Sequence, residues 1–204
     1  KEIVEKFIHQ NVSIARPEMT LPDVDQDLSP AEDFAVFVIG ASHSLKQWPH
    51  FWQIVEYIVQ QLHLKIVLVG HGKRDRKTID ELVQKSATTD FVNLCDQTSL
   101  LQLAHVLKRA KLVVSNDTAA VHIAAALGSP TVCITLGAHA FRFNNYPKDL
   151  DVNIRFVFPK EIESLLNEDG FKHYQTKYKN EQSMNSIPAI WIVQSIKEVM
   201  DRAS

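Results

Sequence analysis

The residues whose types and spacing best suit ligand chemistry lie between Ser115 and Pro130. Asn116, Asp117 and Thr118 follow an apolar run there and precede an alanine-rich helical pattern. Asn or Asp at such a point can cap the helix, and the unpaired amides of the first helical turn attract an anion such as a phosphate. Thr118 and His122 are four residues apart, so both can face one ligand from the same side of the helix.

Two side chains of this stretch are each open to two interpretations. A carboxylate in direct contact with a diphosphate would repel it, so we expect Asp117 to cap the helix or to accept hydroxyl groups of a sugar. His122 either contacts a ligand or is a structural histidine bonded to a carbonyl group, and its position alone favours neither. The alanines at 124–126 need no ligand to explain them, because small side chains let a helix lie close to a sheet.

A second group of candidate residues lies in the segment Gly40–Pro49, which follows another apolar run. It carries Ser42 and Lys46 just before a helical pattern, and a lysine with hydroxyl groups suits a phosphate. Taken alone, this segment slightly favours a solvated lysine and turn-forming serines. The basic segment Gly70–Asp75 matches neither a dinucleotide nor a P-loop motif. A tight turn is the better explanation of its glycines.

Apolar runs alternate with helical patterns along most of the chain. The runs lie at 34–39, 65–70, 91–94, 111–114, 131–136 and 154–158, and the helical patterns at 48–62, 74–86, 99–109, 118–127 and 188–200. This alternation predicts an α/β fold, a doubly wound and mostly parallel sheet of the Rossmann-like kind with right-handed crossovers. Ligands of such sheets lie beyond the carboxyl ends of the strands, where the two candidate segments would meet.

The composition narrows the possible functions. The 204 residues carry a net charge of −2, which gives no general attraction to nucleic acid or an anionic membrane. Cys95 and Cys133 have no metal-site spacing and are expected to be buried thiols of a reducing compartment. No signal peptide or initiator Met opens the chain, so we expect a soluble piece of a longer product. We predict an N-terminal extension or linker at 1–30, a Rossmann-like ligand-binding domain at 31–187 and a C-terminal amphipathic helix at 188–204.

The stretch Ser115–Pro130 resembles the heptosyltransferases of lipopolysaccharide synthesis, glycosyltransferase family 9. That family carries Asn, Asp, Thr or Ser, and Gly, then a His, and an ending Ala-Ala-Leu-Gly-Thr-Pro. Two further segments are similar to family motifs. Lys46-Gln-Trp-Pro49 resembles Lys-x-Trp-Pro, and Asp96-Gln-Thr-Ser-Leu100 resembles Gly-x-Thr-Ser-Leu. The three motifs stand in the family's order and cover residues 34–137.

The resemblance implies the C-terminal, donor-binding half of a GT-B enzyme that transfers sugar with inversion. An N-terminal GT-B domain would supply the acceptor surface and the catalytic Asp base, so the catalytic residue lies outside this chain. Ser42 and Lys46 would contact the donor phosphates, and Asp117, Thr118, His122 and the amides around Ala119 would hold the diphosphate and sugar. We expect a nucleotide-sugar donor, no metal, and a saccharide or lipid-linked acceptor. The enzyme would be cytoplasmic or peripheral on the inner face of the inner membrane.

Two departures from the family pattern bear on how a donor would be held. Ala119 replaces a glycine, which adds a Cβ where backbone approaches the ligand, and Arg74 stands where a ribose-binding glutamate is expected. The loop His139–Pro147 suggests a subgroup whose donor need not be ADP-heptose. These departures favour the alternative of a non-catalytic Rossmann-like binding or scaffolding module. An epimerase of the same architecture ranks low, because these loops show no paired carboxylates.

Overall fold

Six short segments form one parallel sheet in the computed structural model of the protein, in the order β3-β2-β1-β4-β5-β6. The strands are β1 Phe34–Val38, β2 Lys65–Val69, β3 Phe91–Asn93, β4 Leu112–Asn116, β5 Thr131–Ile134 and β6 Ile154–Val157. Every residue of β1, β4 and β5 is buried, as expected for strands covered on both faces. The predicted doubly wound, Rossmann-like α/β fold is confirmed.

Helices cover both faces of this sheet. They are α1 Trp52–Glu56, which continues as a π-helical segment Tyr57–Gln61, α2 Gly72–Lys85, α3 Leu100–Arg109, α4 Ala119–Leu127, α5 Lys160–Leu166 and α6 Ala189–Asp201. Side chains of α1, α2 and α6 join one apolar cluster, and those of α3 and α4 join the other. Ala120 and Ala124 are buried in the second cluster, so α4 lies close to the sheet through small side chains.

The structure describes residues 15–88, 90–137, 144, 146, 150–166 and 183–203. The helical pattern at 3–8, most of the loop 139–147 and residues 167–182 lie outside this part. None of the described helices has the length and apolar character needed to cross a membrane. Both cysteines are buried and form no disulfide bond. Burial, and then the neighbouring Asp96 carboxylate, raises the pKa of the Cys95 thiol to about 11.

The helix predicted at 48–62 begins later, at Trp52. A proline disfavours helical backbone at the residue before it, and Pro49 follows Trp48. Trp48 is fully buried as an anchor outside the helix, and its indole Nε1 donates to the carbonyl of Ile187 at 2.9 Å. The tryptophan therefore ties the loop after β1 to the segment that leads into α6.

Residues 15–30, which we call the N-terminal strap, lie across α3 and α4. Three of the polar contacts that hold the strap are Met19 N to Ala126 O at 3.0 Å, His105 Nε2 to Pro22 O at 2.8 Å, and Arg109 Nη1 to Asp27 Oδ2 at 2.8 Å. Burial raises the pKa of Asp27, but hydrogen bonds from Ser29 and the Arg109 guanidinium outweigh it and bring the pKa to about 2. The ionised carboxylate therefore stabilises the docked strap.

We expect Asp27→Asn to speed hydrogen exchange of the amides at 19–30 near neutral pH. A lowered pKa stabilises the folded form above the usual carboxyl pKa, and the stabilisation is lost as the pH falls from about 4 to about 2. The pair is exposed, so the effect stays below about 1 kcal/mol. Asp25→Asn, an exposed carboxylate of the same strap, is the control, and equal exchange in the two variants would contradict the assignment.

Candidate functional site

The candidate residues lie where the chain leaves two neighbouring strands toward opposite faces of the sheet. β1 and β4 are parallel neighbours, and β1 leads to α1 on one face whereas β4 leads to α4 on the other. Such a switch point opens a crevice at the carboxyl ends of the two strands. Ser42 and Lys46 follow β1, Asp117 and Thr118 follow β4, and His122 lies in α4. Both predicted segments therefore border one crevice.

Asn116 is the clamp between these two segments. Its side chain is fully buried, its Oδ1 accepts a hydrogen bond from the Trp48 amide at 2.9 Å, and its Nδ2 donates to the Ile39 carbonyl at 2.7 Å. The prediction that Asn116 could cap α4 is therefore wrong, because both ends of its amide are used by the loop after β1. The clamp fixes the loop that carries Lys46 against the end of β4.

The first backbone amides of α4 have no hydrogen-bond acceptor among the described residues. Thr118 is the N-cap residue rather than the first helical residue, with φ −138° and ψ 170°, and its side chain makes no capping bond. Ala119 is exposed. Among the described residues, the amides of Ala119 and Ala120 have no acceptor outside the helix. Unpaired first-turn donors of this kind, together with the helix dipole, favour an anion.

The neighbouring helices α2 and α3 each have a side-chain acceptor at their N-terminus. Ser99 and Gln102 form a reciprocal capping box at the start of α3. At the start of α2, the Gly72 amide donates to the Asp96 carboxylate at 2.7 Å. This amide, with the Arg76 guanidinium, lowers the pKa of Asp96 against the effect of burial. Of these three helices, α4 is the one whose first turn has no side-chain acceptor among the described residues.

Asp117 is held by residues that follow β5. Its Oδ2 accepts hydrogen bonds from Thr135 Oγ1 at 3.0 Å and from Asn144 Nδ2 at 2.8 Å. Asp117 therefore does not cap α4, which corrects one of its two expected roles. Within the described part of the chain, its Oδ1 makes no hydrogen bond, so the second expected role, accepting sugar hydroxyls, keeps an available oxygen.

His122 is bonded to a hydroxyl group rather than to a carbonyl. Its Nδ1 lies 2.9 Å from the Tyr146 hydroxyl, and the Tyr146 ring stacks on Phe156. Burial, and then Cys133, raises the pKa of Tyr146, so this hydroxyl keeps its proton at neutral pH. No described residue bonds Nε2 of the imidazole. The structure thus orients His122 and leaves one ring nitrogen for a ligand.

Ser42 and Lys46 lie on the other side of the crevice. Ser42 is exposed, and Lys46 is half-buried at the end of a 3-10 turn formed by Ser44–Lys46. No hydrogen bond or ion pair joins either side chain to another described residue. The local structure therefore leaves both groups available to a ligand.

A buried carboxylate that sequence analysis missed supports this loop. Asp75 is 8% exposed, accepts from Gln47 Nε2 at 3.0 Å, and accepts from the His71 amide at 2.9 Å. A Cβ on Gly40 or Gly70 would overlap the Asp75 side chain. Gly70 is therefore required by the close approach of Asp75 and not by a turn. The sequence signal that could have revealed Asp75 was a carboxylate a few residues after a glycine that ends a strand.

The fold and this geometry define a Rossmann-like α/β domain whose candidate residues lie at the switch point of its sheet. Residues 8–143 match the model of glycosyltransferase family 9 (heptosyltransferase), and the chain belongs to that family. Lipopolysaccharide heptosyltransferase 2 of Salmonella typhimurium is 25% identical over 140 residues, which cover 66% of this chain and 40% of the relative. Lipopolysaccharide heptosyltransferase 1 of the same organism is 30% identical over 105 residues, which cover 51% and 32%.

Solved structures show the same fold. A family 9 glycosyltransferase from Veillonella parvula matches with a TM-score of 0.66 and 18% identity, covering 86% of this chain and 48% of that one. The E. coli heptosyltransferase WaaC with ADP matches with a TM-score of 0.62 and 20% identity, covering 88% and 46%. The chain thus spans less than half the length of the relatives it matches.

The described residues contain no group of three or more metal-ligating side chains. The structural neighbour TibC of E. coli is an iron-containing heptosyltransferase, with a TM-score of 0.53 and 12% identity over 91% of this chain and 48% of that one. The absence of a metal from the whole enzyme therefore stays a prediction.

Asp96 stands where the family motif has glycine. Its φ is +61°, in the left-handed region that favours glycine and that aspartate tolerates better than most residues. The same side chain closes α2 through Gly72. The replacement thus keeps the backbone turn and adds a carboxylate that accepts from the first amide of α2 and pairs with Arg76.

Proposed function

We propose that this chain is the donor-binding half of an inverting glycosyltransferase and binds the diphosphate of a nucleoside-diphosphate sugar at the N-terminus of α4. The observation that carries the proposal is the pair of unfilled amides at Ala119 and Ala120, across the switch point from Lys46. Membership of family 9 supports it.

The residues around the crevice take complementary roles in this proposal. The two amides, with the Thr118 hydroxyl, bind diphosphate oxygens at the positive end of α4. Lys46 supplies the cation and Ser42 a hydroxyl donor from the opposite loop. Asp117 is not a phosphate ligand in this proposal, and its Oδ2 accepts hydrogen bonds from Thr135 and Asn144 instead. His122 contributes its free Nε2.

The reaction that fits these roles is displacement at the anomeric carbon of the sugar. An acceptor hydroxyl attacks that carbon while a base from another domain takes the proton. The bond between the anomeric carbon and the diphosphate oxygen breaks, and the electron pair leaves with the diphosphate. Lys46 and the α4 amides stabilise the charge that develops on this leaving group, and such preorganised donors form a large part of catalysis.

The missing partners follow from the same proposal. An N-terminal GT-B domain supplies the base and binds a saccharide or lipid-linked acceptor of lipopolysaccharide synthesis. The intact enzyme works in the cytoplasm or on the inner face of the inner membrane. This chain alone binds the donor and does not transfer sugar.

Calorimetric titration of the chain with ADP, GDP and UDP tests the proposal. We expect saturable one-to-one binding of at least one of them. The corresponding monophosphate should bind about tenfold more weakly, because it loses charge-assisted contacts. Binding of none of the three would contradict the proposal and favour the non-catalytic module, to which Ala119 and Arg74 also point.

Tyr146→Phe should weaken nucleoside-diphosphate binding about two- to tenfold, because the imidazole of His122 loses the hydroxyl that orients it. Tyr57→Phe removes the same group from the π-helical segment that follows α1 and is the control. Titration of both variants measures the effect. Equal affinities in the two variants would rule out the orienting role.

A further inference from the structure

The residues after β5 build a closed network on Asp117. Thr135 Oγ1 donates to Asp117 Oδ2 at 3.0 Å, and it accepts from the Gly137 amide and from Asn144 Nδ2, both at 3.1 Å. Asn144 Nδ2 also donates to Asp117 Oδ2 at 2.8 Å. Both protons of the amide nitrogen and the hydroxyl proton are therefore used, and the Asp117 carboxylate is fixed in direction.

Two oxygens of this network have no hydrogen-bond donor among the residues that the structure describes. Asn144 is 1% exposed, and its Oδ1 is buried without a hydrogen-bond partner. Asp117 Oδ1 likewise makes no bond within the described part of the chain. Buried polar atoms in native proteins are nearly always paired, so a buried amide oxygen that has no donor among the described residues is a candidate acceptor for hydrogen bonds from a ligand.

The chemistry of these two oxygens selects the ligand. Both are acceptors, and one carries the charge of a carboxylate. Oxygens of an ionised diphosphate are also acceptors and would be repelled, whereas sugar hydroxyl groups can donate to both. Asp117 immediately precedes Thr118, the N-cap of α4, so a sugar bound here lies next to a diphosphate bound at the helix end.

We infer that Asn144 is a specificity-determining residue that, with Asp117, binds hydroxyl groups of the donor sugar. The inference rests on the proposed function, since it places the sugar beside the diphosphate. Thr135 acts through Asp117 and Asn144 as a positioning residue. If the network only held the segment after β5 in place, a substitution in it would weaken the binding of the diphosphate and of the diphosphate sugar equally. The two affinities can be measured separately.

The experiment compares nucleoside diphosphates with nucleoside-diphosphate sugars. The chain and its Asn144→Leu variant are titrated with ADP, GDP and UDP and with ADP-heptose, ADP-glucose, GDP-mannose and UDP-glucose. For the sugar that the parent chain prefers, the ratio of the diphosphate Kd to the diphosphate-sugar Kd should fall about tenfold in the variant. Affinity for the free diphosphate should stay within about twofold, because Lys46 and the α4 amides are untouched.

Thr135→Val provides a second variant and should lower the same ratio, so it decides the matter if Asn144→Leu does not fold. Asn185→Ala, an exposed asparagine, is the control and should leave the ratio unchanged. The role of Asn144 alone would be overturned if the ratio of the two Kd values were unchanged in the variant. It would also be overturned if the parent chain bound no diphosphate sugar more tightly than the free diphosphate. A parent chain that binds no nucleoside diphosphate would overturn the proposed function as well.

Discussion

Asn116→Ala lowers the free energy of unfolding by about 3 kcal/mol, because it strips partners from two backbone groups in the interior. The Trp48 amide loses its acceptor, the Ile39 carbonyl keeps only the longer hydrogen bond from Gln47 Nε2 at 3.4 Å, and Asn116 itself is fully buried. The loop that carries Lys46 loses its connection to β4, so nucleoside-diphosphate affinity should fall as well. Chemical denaturation measures the stability and calorimetry the affinity.

Asn185→Ala is the matched control for this prediction. It makes the same truncation at an exposed asparagine, and surface changes of this kind stay within about 0.5 kcal/mol. A loss of stability in Asn116→Ala no larger than in the control would show that the clamp does not hold the two loops.

Lys46→Ala should reduce nucleoside-diphosphate affinity about ten- to one-hundredfold while leaving the unfolding free energy nearly unchanged. A hydrogen bond to a charged group contributes about 1.5–3 kcal/mol, which corresponds to that range of affinity. Stability should not respond, because no described residue bonds the Lys46 side chain. Calorimetric titration of the folded variant checks both parts.

Lys108→Ala separates a local contact from a general effect of charge. Lys108 is exposed in the last turn of α3, at the end of that helix away from its capping box, and its removal changes the net charge equally. It should bind nucleoside diphosphate like the parent chain. If the two lysine variants lose the same affinity, Lys46 is not a specific phosphate ligand.

Much of the fold follows from local pattern. The apolar runs and helical periodicities are properties of neighbouring residues, so strands such as β1 and β2 fall within one residue of the predicted ends. The predicted helix boundaries that depend on the chemistry of individual side chains were less accurate. α1 starts four residues late because of Pro49, and α4 starts one residue late because Thr118 is its N-cap.

The candidate site was predictable to the level of its loops. The rule that ligands lie at strand carboxyl ends selected the segments after β1 and β4, and the structure sets them on either side of the switch point. The supporting contacts were not predictable from spacing. Asn116 bonds residues 68 and 77 positions away, and such distant partners leave no mark on the local pattern.

The segment after β5 explains why the predicted capping role of Asp117 was wrong. Asp117 was expected to cap α4, but Thr135 and Asn144 compete successfully for its carboxylate. Thr135 directly follows a strand, so the same carboxyl-end rule applied to β5 would have included it. Asn144 lies ten residues beyond β5, where that rule gives no residue number.

The central claim is that a diphosphate binds the first turn of α4, and backbone amide NMR tests it most directly. The chain is titrated with whichever of ADP, GDP and UDP binds most tightly, while the amide resonances are followed. The account predicts that Ala119 and Ala120 show the largest downfield shifts, as expected for amides that gain a phosphate acceptor, and that Lys46→Ala weakens this response. Shifts that concentrate at Gly72 and α2, or no shift at Ala119 and Ala120, would contradict it.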